Sequence, residues 1–328
     1  MQWYRRNFAT VTFMIVIIFT LCSACDTYHK KVLNFREKSP IVLTLRHAVK
    51  LRPDGTVIAI PKDYSDFKAP GISVDIDAGQ CDTSEWRDIV SVAASNLHTV
   101  GLKLDGTVIA TGSNRSGECN TSKWKDIIDI AAGSGFTIGL KSNGTVVFAA
   151  DDKNIVRDAL KEWTNIAAVY ANAHQIAGLK LDGTVVVAGS HDSEGIDVSE
   201  WKDIIDVSIS PWHIVGLKLD GTVVAKARQE VNDGMCDVSE WEDIVAISTC
   251  TYGTVGLKSD GTLEACGKVA SKTENTAAND RIFRLKKITA ISACSNDLMV
   301  LTEDHRVGLY GEFMRRPFTE EEFEKLQG

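Results

Sequence analysis

Short apolar runs separated by polar punctuation recur through this chain on a beat of about 40 residues. Runs such as "TVVVAG" at 184–189, "DIIDVSIS" at 203–210 and "HIVGLKL" at 213–219 are rich in β-branched residues and too short for helices, so each predicts a strand. Between two such runs in every clear unit stands an Asp-Gly or Asn-Gly pair, with glycines at Gly106, Gly144, Gly183, Gly221 and Gly261. The pair predicts a two-residue type I′ hairpin, in which both central residues take positive φ. A further short run, "CDVS" or "IDVS", precedes the marker "W[KRE]DI". Trp86, Trp124, Trp163, Trp201 and Trp241 thereby fall at steps of 38, 39, 38 and 40 residues.

The ends hold two less obvious units. Moving the first clear unit back by 51 residues sets Phe35 under Trp86, His47 under His98 and Gly55 under Gly106, with an insertion over 61–79. Moving the last forward by 44 sets Leu285 under Trp241. Four short strands in a unit of this length make one propeller blade. The chain therefore predicts an all-β, seven-bladed β-propeller of four-stranded blades over residues 30–312, with a short tail at 313–328. Counting from the Trp, the strands are A, B, C and D. Antiparallel order puts the B–C hairpins and D–A links on one face and the A–B and C–D loops on the other. The apolar "TVVV" predicts a strand C covered on both sides by neighbouring blades. "KKVLN" at 30–34 is the expected strand D of the last blade, joining the chain ends; closure by Phe313 to Pro317 is the alternative.

The succession of a small residue, His, "GLKxDGTVxAxG" and "G-x-C-D/N" resembles the repeats of the regulator of chromosome condensation (RCC1) family. The shorter bacterial repeats of secreted propellers of the β-lactamase inhibitor type II kind are similar as well. The resemblance covers about residues 30–312 and implies the fold. It does not name a function, because one repeat fold hosts many unrelated partners.

The first residues follow another plan. Arg5 and Arg6 precede an apolar run from Phe8 to Leu21, which predicts a secretory signal over 1–25. "LCSAC" at 21–25 resembles a bacterial lipoprotein box and implies lipidation at Cys25, hence a protein anchored to the membrane outside the cytoplasm. Simple cleavage and a retained anchor are the alternatives. With 36 Lys and Arg against 44 Asp and Glu, the net charge of −8 argues against nucleic acid, whose phosphates need clustered cations. It equally disfavours nucleotide exchange or chromatin binding of the family's type member. The expected partner is another protein or a cell-surface polymer, met by a monomer.

Catalytic patterns such as G-x-S-x-G, H-E-x-x-H or a P-loop do not occur, and no cofactor is expected. "VDIDAGQCD" at 74–82 lacks the remaining ligands of a calcium loop. The register read as His47, His98, Phe136, His174, His213, Gly253 and Asp297 is spread around a ring, so its histidines are expected to be structural rather than metal ligands. Cys81, Cys119 and Cys236 share a register with Ile196 and are expected to be small buried hydrophobes, whereas pairing of Cys250 with Cys294 is left open. An enzyme with an axial site built from single residues of several blades would leave no local motif and is the second reading.

Variation concentrates in the A–B loops, which read "SNL", "GSG", "ANA", "SPW", "CTY" and "CSN" from the second unit on. Loops on a rigid scaffold are where recognition usually sits. Trp212 and Tyr252 hold equivalent places in adjacent units and are expected to be neighbours. Together with Asn96, Asn172 and Asn296 they are the candidate partner-binding residues, rimmed by Asp151, Asp152, Asp192 and Glu194. The expected activity is non-catalytic binding of a protein or glycan.

Overall fold

The computed structural model describes residues 39–61, 78–151, 156–189, 196–228, 234–269 and 284–311. Outside them lie Cys25 and the rest of the signal segment, both candidate closing segments, the tail, and Asp152, Asp192 and Glu194.

Seven antiparallel sheets follow one another along the chain, each of three strands hydrogen-bonded in sequence order. Blade one is β1 (Ile41–Leu43), β2 (His47–Leu51) and β3 (Val57–Pro61); blade two is β4 (Ile89–Ala94), β5 (His98–Lys103) and β6 (Val108–Gly112). Blade three is β7 (Ile127–Gly133), β8 (Phe136–Lys141) and β9 (Val146–Ala149), and α1 (Val156–Leu160) leads into blade four, β10 (Ile166–Ala171), β11 (Gln175–Lys180) and β12 (Val185–Gly189). Blade five is β13 (Ile204–Ile209), β14 (His213–Lys218) and β15 (Val223–Ala227); blade six is β16 (Ile244–Thr249), β17 (Tyr252–Lys258) and β18 (Leu263–Lys268). Blade seven is β19 (Ile288–Cys294), β20 (Asp297–Thr302) and β21 (Val307–Tyr310).

The first strand of every blade touches the first strands of both neighbours, β19 against β1 included. First strands therefore line the axis, and the ring closes within the described residues. At the closing junction Ile41, Leu43 and Ala48 share one apolar cluster with Ala290, Met299 and Leu301, and the Leu43 N–H donates to Ser292 Oγ at 2.9 Å. Axial strands have one open edge, and side chains of the preceding blade cover it. Asp129 Oδ2 accepts the Val169 N–H at 2.9 Å, Ser208 Oγ that of Thr249 at 2.9 Å, and Ser248 Oγ that of Ala293 at 2.9 Å. An open edge left bare would be a template for pairing with another chain.

The middle strands, not the third strands, are covered on both sides. β5, β8, β11 and β14 each read as five buried residues and one half-buried, whereas β12 is buried only at Val185 and Ala188. The "TVVV" run is thus the half-exposed outer strand. Its β-branched residues answer to strand propensity rather than to two-sided burial.

The tryptophans explain a glycine inside the middle strand. A Cβ on Gly101 would stand 2.7 Å from Trp86 Cζ3, and the same clash arises between Gly139 and Trp124, Gly178 and Trp163, Gly216 and Trp201, and Gly256 and Trp241. Each indole lies on bare backbone of its own blade. Blade one has Lys50 in the glycine slot; this buried side chain runs to the seventh blade, where Nζ donates to the His305 carbonyl at 3.2 Å. At the other six junctions the equivalent turn carbonyl accepts a backbone N–H from the next blade, as Gly55 O does from Ile89 at 3.0 Å.

Two further expectations change. The B–C hairpin is a three-residue loop, since the Gly106 N–H donates to Lys103 O and the Lys103 N–H to Thr107 O, and of the Asp-Gly pair only glycine has positive φ, 78° at Gly106. This is a type I turn followed by a glycine bulge. Asp105 belongs to the turn's normal φ region, where its Oδ1 accepts from the Thr107 N–H at 2.9 Å and from Thr107 Oγ1 at 2.6 Å. Left-handed non-glycine residues stand instead at the Asp of the Trp marker, with φ of 60° at Asp88, Asp126, Asp203 and Asp243, a region Asp and Asn tolerate best, and at His305, φ 64°, which replaces the hairpin glycine in blade seven.

Among the described residues no fourth strand joins the sheets either. Where it was expected, the described segments spend their N–H groups on local turns: Thr83 N–H donates to Cys81 O at 2.8 Å and Trp86 N–H to Thr83 O at 3.0 Å. Side-chain hydroxyls link this segment to the blades, Thr83 Oγ1 donating to Val57 O at 3.1 Å and Thr99 Oγ1 to Gln80 O at 2.8 Å. Turning the chain to insert the indole takes the backbone out of ladder geometry.

Candidate functional site: the variable loop face

Each A–B loop is a tight four-residue connection closed by a backbone bond, as from Ser95 N–H to His98 O and from Ser210 N–H to His213 O. The first loop residue caps it from inside: Ser95 Oγ lies 2.7 Å from His98 Nδ1, and Ser210 Oγ lies 2.7 Å from His213 Nδ1. The far ring nitrogen reaches the next blade. His47 Nε2 lies 2.8 Å from Thr99 Oγ1, His98 Nε2 lies 2.9 Å from Thr137 Oγ1, and His213 Nε2 lies 2.9 Å from Thr254 Oγ1. Those three hydroxyls donate in turn to the carbonyls of Gln80, Glu118 and Met235. A hydroxyl that donates to a carbonyl must accept from the imidazole, so Nε2 carries the proton and Nδ1 accepts from the serine. The ring is neutral, and burial pulls His98 and His213 down to about 4.

These histidines are inter-blade clasps. Where a blade lacks the histidine, having Phe136, Gln175, Gly253 or Asp297, the next blade lacks the threonine, having Ile176, Ile214, Leu298 or Ala48. In blade four the register holds Gln175, which is buried, and His174 is an exposed loop tip. The local loop is therefore Asn172-Ala173-His174, one residue later than the "ANA" reading. Gln175, whose partner in β12 is Gly189, matches His213, whose partner in β15 is Ala227.

The six cysteines in the described residues are free thiols. Cys81, Cys119 and Cys236 are half-buried rather than core residues, at the three junctions that carry the His–Thr clasp. Burial raises Cys250 to about 12; it donates to the carbonyls of Gly253 and Lys268, each at 3.4 Å, and is not paired with Cys294.

The candidate residues separate by task. Asn172 is occupied by its own loop: Oδ1 accepts the N–H groups of His174 at 2.8 Å and Gln175 at 2.9 Å, and Nδ2 donates to Gln175 Oε1 at 3.3 Å. Asn96 ties blade two to blade one, its Oδ1 accepting the Leu45 N–H at 3.1 Å. Asn296 stands half-buried in the loop of blade seven, which is joined to blade six by the Thr251 N–H to Ser295 O bond of 2.9 Å. Asp151 is exposed after β9.

Trp212 and Tyr252 come together as their registers require. Their rings are stacked with centroids 6.4 Å apart and planes 10° from parallel, and both side chains are half-buried. Two residues that the repeat pattern did not single out complete the group. Arg228 Cζ lies 5.5 Å over the Trp212 ring, and Lys268 Nζ lies 5.8 Å over the Tyr252 ring. The available signal was register: Arg228, just after β15, and Lys268, the last residue of β18, stand at the place where blade two has Ser113.

A family model of the regulator of chromosome condensation (RCC1) repeat matches residues 89–118, which run from β4 through β6 into the segment before Trp124. The chain is an RCC1-like repeat protein. No curated protein matches this RCC1-like sequence. Among solved structures it is similar to the CRINKLY WD40 ectodomain of the Arabidopsis thaliana receptor kinase ACR4, with TM-score 0.63 and 12% identity over 86% of this chain and 96% of that one. Human WBSCR16 gives TM-score 0.56 and 12% identity over 82% and 88%. Prp20p of Saccharomyces cerevisiae gives 0.52 and 14% over 87% and 84%. At these identities the shared property is the RCC1-like propeller fold.

Proposed function

We propose that this propeller is a non-catalytic protein-binding module, held outside the cytoplasm by a lipid on Cys25 and meeting its partner with the variable loop face. The observation that carries the reading is the stacked Trp212–Tyr252 pair on two adjacent loops of a tied scaffold. Stacked, half-buried aromatics are the usual anchors of an interface, because they bring large contact area with little conformational entropy to lose. The hairpin face has the opposite character: the same Asp-Gly-Thr turn recurs, its polar groups used internally. Similar propellers bind proteins; the binding of Prp20p to Gsp1p and histones has been characterised, and yeast RCC1 has been solved with Kap60. Asp129, the buried carboxylate on an axial strand, is engaged by the backbone N–H groups of Ile130 and Val169, which supports scaffold over catalysis there.

The test is a pull-down from native cell envelopes with wild type and Trp212→Ala plus Tyr252→Ala. Loss of a specific protein with the variant is expected; equal recovery refutes the loop-face reading. Cys25→Ser is expected to move the protein from the membrane to the soluble extracytoplasmic fraction, and retention at the membrane refutes the lipid anchor.

A further inference from the structure

We infer that Cys236 and Cys266 are a disulfide-forming pair, which fastens the segment before Trp241 to the outer strand of blade six. The inference does not depend on the loop-face reading. Cys266 pairs with Thr254 across β17 and β18, and both side chains reach one carbonyl of that segment: Thr254 Oγ1 donates to Met235 O at 2.8 Å and Cys266 Sγ at 3.3 Å. Met235 O shares a peptide plane with the Cys236 Cα, so the Cys266 sulfur stands beside the residue it is to bond. The backbones approach as closely one residue on, where a Cβ on Gly267 would stand 2.9 Å from Met235 Cα. Disulfides join Cα atoms about 4.4–6.8 Å apart, which is the scale of this contact. Turn bonds from Asp237 N–H to Gly234 O and from Val238 N–H to Cys236 O hold the segment's backbone, so closure is left to side-chain torsions.

The repeat supplies its own comparison. Cys81 and Cys119 hold the place of Cys236, but at the place of Cys266 blade two has Thr111, whose Oγ1 donates to Gly79 O at 2.9 Å, and blade three has Ala149. Cys250 and Cys294 share a register yet face different neighbours. Ser248, two residues before Cys250, faces blade seven, where its Oγ accepts the Ala293 N–H; Ser292, two residues before Cys294, faces blade one, where its Oγ accepts that of Leu43.

The oxidant is a disulfide, either small, such as oxidised glutathione, or carried by a thiol oxidoreductase. One cysteine thiolate attacks it, forming a mixed disulfide and releasing one thiolate; the second cysteine displaces the other, and the protons given up by Cys236 and Cys266 end on the two released thiols. Burial, and then the Asp237 carboxylate, raises both thiols to about 11, so the step is slow at neutral pH and quickens as pH rises. Met235 O keeps its bond from Thr254 once the Cys266 proton has gone.

The experiment incubates the full mature chain with oxidised glutathione at mildly alkaline pH, blocks the remaining thiols with iodoacetamide and maps trypsin and Glu-C peptides by mass spectrometry. A crosslinked peptide pair holding Cys236 and Cys266 is expected, with Cys81, Cys119, Cys250 and Cys294 alkylated. Oxidation should raise the thermal midpoint of wild type and of Cys81→Ser by several degrees, since the closed loop restricts the unfolded chain, and leave that of Cys266→Thr unchanged. Thr keeps a donor for Met235 O, as Thr111 does for Gly79 O, so this variant retains the junction. Alkylation of both cysteines after prolonged oxidation, a mixed disulfide with glutathione that goes no further, or crosslinking of Cys236 or Cys266 to another cysteine overturns the inference.

Discussion

His98 Nε2 lies 2.9 Å from Thr137 Oγ1 of the next blade, and that hydroxyl donates a hydrogen bond to Glu118 O at 2.7 Å. One imidazole thus joins the loop of blade two, the middle strand of blade three and the segment between them. Because both partners are buried, removing one leaves the other unsatisfied, at a cost of about 1–3 kcal/mol. His98→Phe alone and Thr137→Ile alone are each expected to destabilise by that amount in urea unfolding. The pair together should cost less than their sum, since Phe136 followed by Ile176 is the apolar version of the same junction one blade on. Strict additivity would show that the clasp is not a coupled unit.

Acid should loosen these junctions in a defined window. Burial holds His98 and His213 at about 4 in the folded chain, against an ordinary 6.5. As pH falls below 6.5 the unfolded chain takes up protons that the folded one refuses, so stability falls until about pH 4 and then levels off for these groups. The slope approaches about 1.4 kcal/mol per pH unit for each histidine. Urea midpoints at neutral and mildly acid pH measure it, and His98→Phe plus Thr137→Ile should flatten the profile. The turn carboxylates of Asp54, Asp105, Asp182, Asp220 and Asp260, depressed chiefly by the neighbouring Thr hydroxyl, act in a separate window: their contribution is present above the ordinary carboxylate value and is lost as pH falls below it.

Gly101→Ala is a small change with a disproportionate expected effect. Its Cβ would stand 2.7 Å from Trp86 Cζ3 and 3.1 Å from Ile89 Cδ1, and the buried indole shares an apolar cluster with Val49, Val57, Ile89 and Val92. Overpacking of this kind costs about 1–3 kcal/mol, so the thermal midpoint should drop by several degrees. An unchanged melt would mean that the ring slides aside freely.

Asp105→Gly distinguishes the observed turn from a type I′ turn. In type I′ geometry both central residues have positive φ and a second glycine would relieve strain. Here the substitution removes the carboxylate that binds Thr107 and frees a residue with ordinary φ, so a loss of about 0.5–1.5 kcal/mol is expected in chemical denaturation. A gain in stability would contradict the turn assignment.

What the sequence made legible was whatever recurs in register. The Trp and Asp-Gly periodicities located all seven blades, including the irregular first and last, and equivalence of Trp212 with Tyr252 foretold their contact. What it hid depended on geometry that the letters do not carry. An Asp-Gly pair is compatible with two turn types, and the choice turned on φ, which is positive at Gly106 and not at Asp105. The short polar run before each Trp looks like a strand, but swinging the indole onto the middle-strand glycine takes its backbone out of the ladder. His174 and Gln175 were confused because a histidine one residue early looks like the clasp residue until strand pairing fixes the register. Arg228 and Lys268 were missed for a similar reason: each is an ordinary surface cation in sequence and becomes part of a group only when two blades are placed side by side.

The central claim is that recognition belongs to the loop face and scaffolding to the hairpin face. The most direct measurement is partner affinity, by surface plasmon resonance with the protein recovered from the envelope, for folded variants of each face. Trp212→Ala plus Tyr252→Ala should weaken binding about tenfold or more. Asp105→Asn plus Asp220→Asn, which keeps the turn acceptor as Asn143 does naturally, should leave it unchanged. Loss of affinity with the hairpin-face variant and none with the loop-face variant would contradict the account.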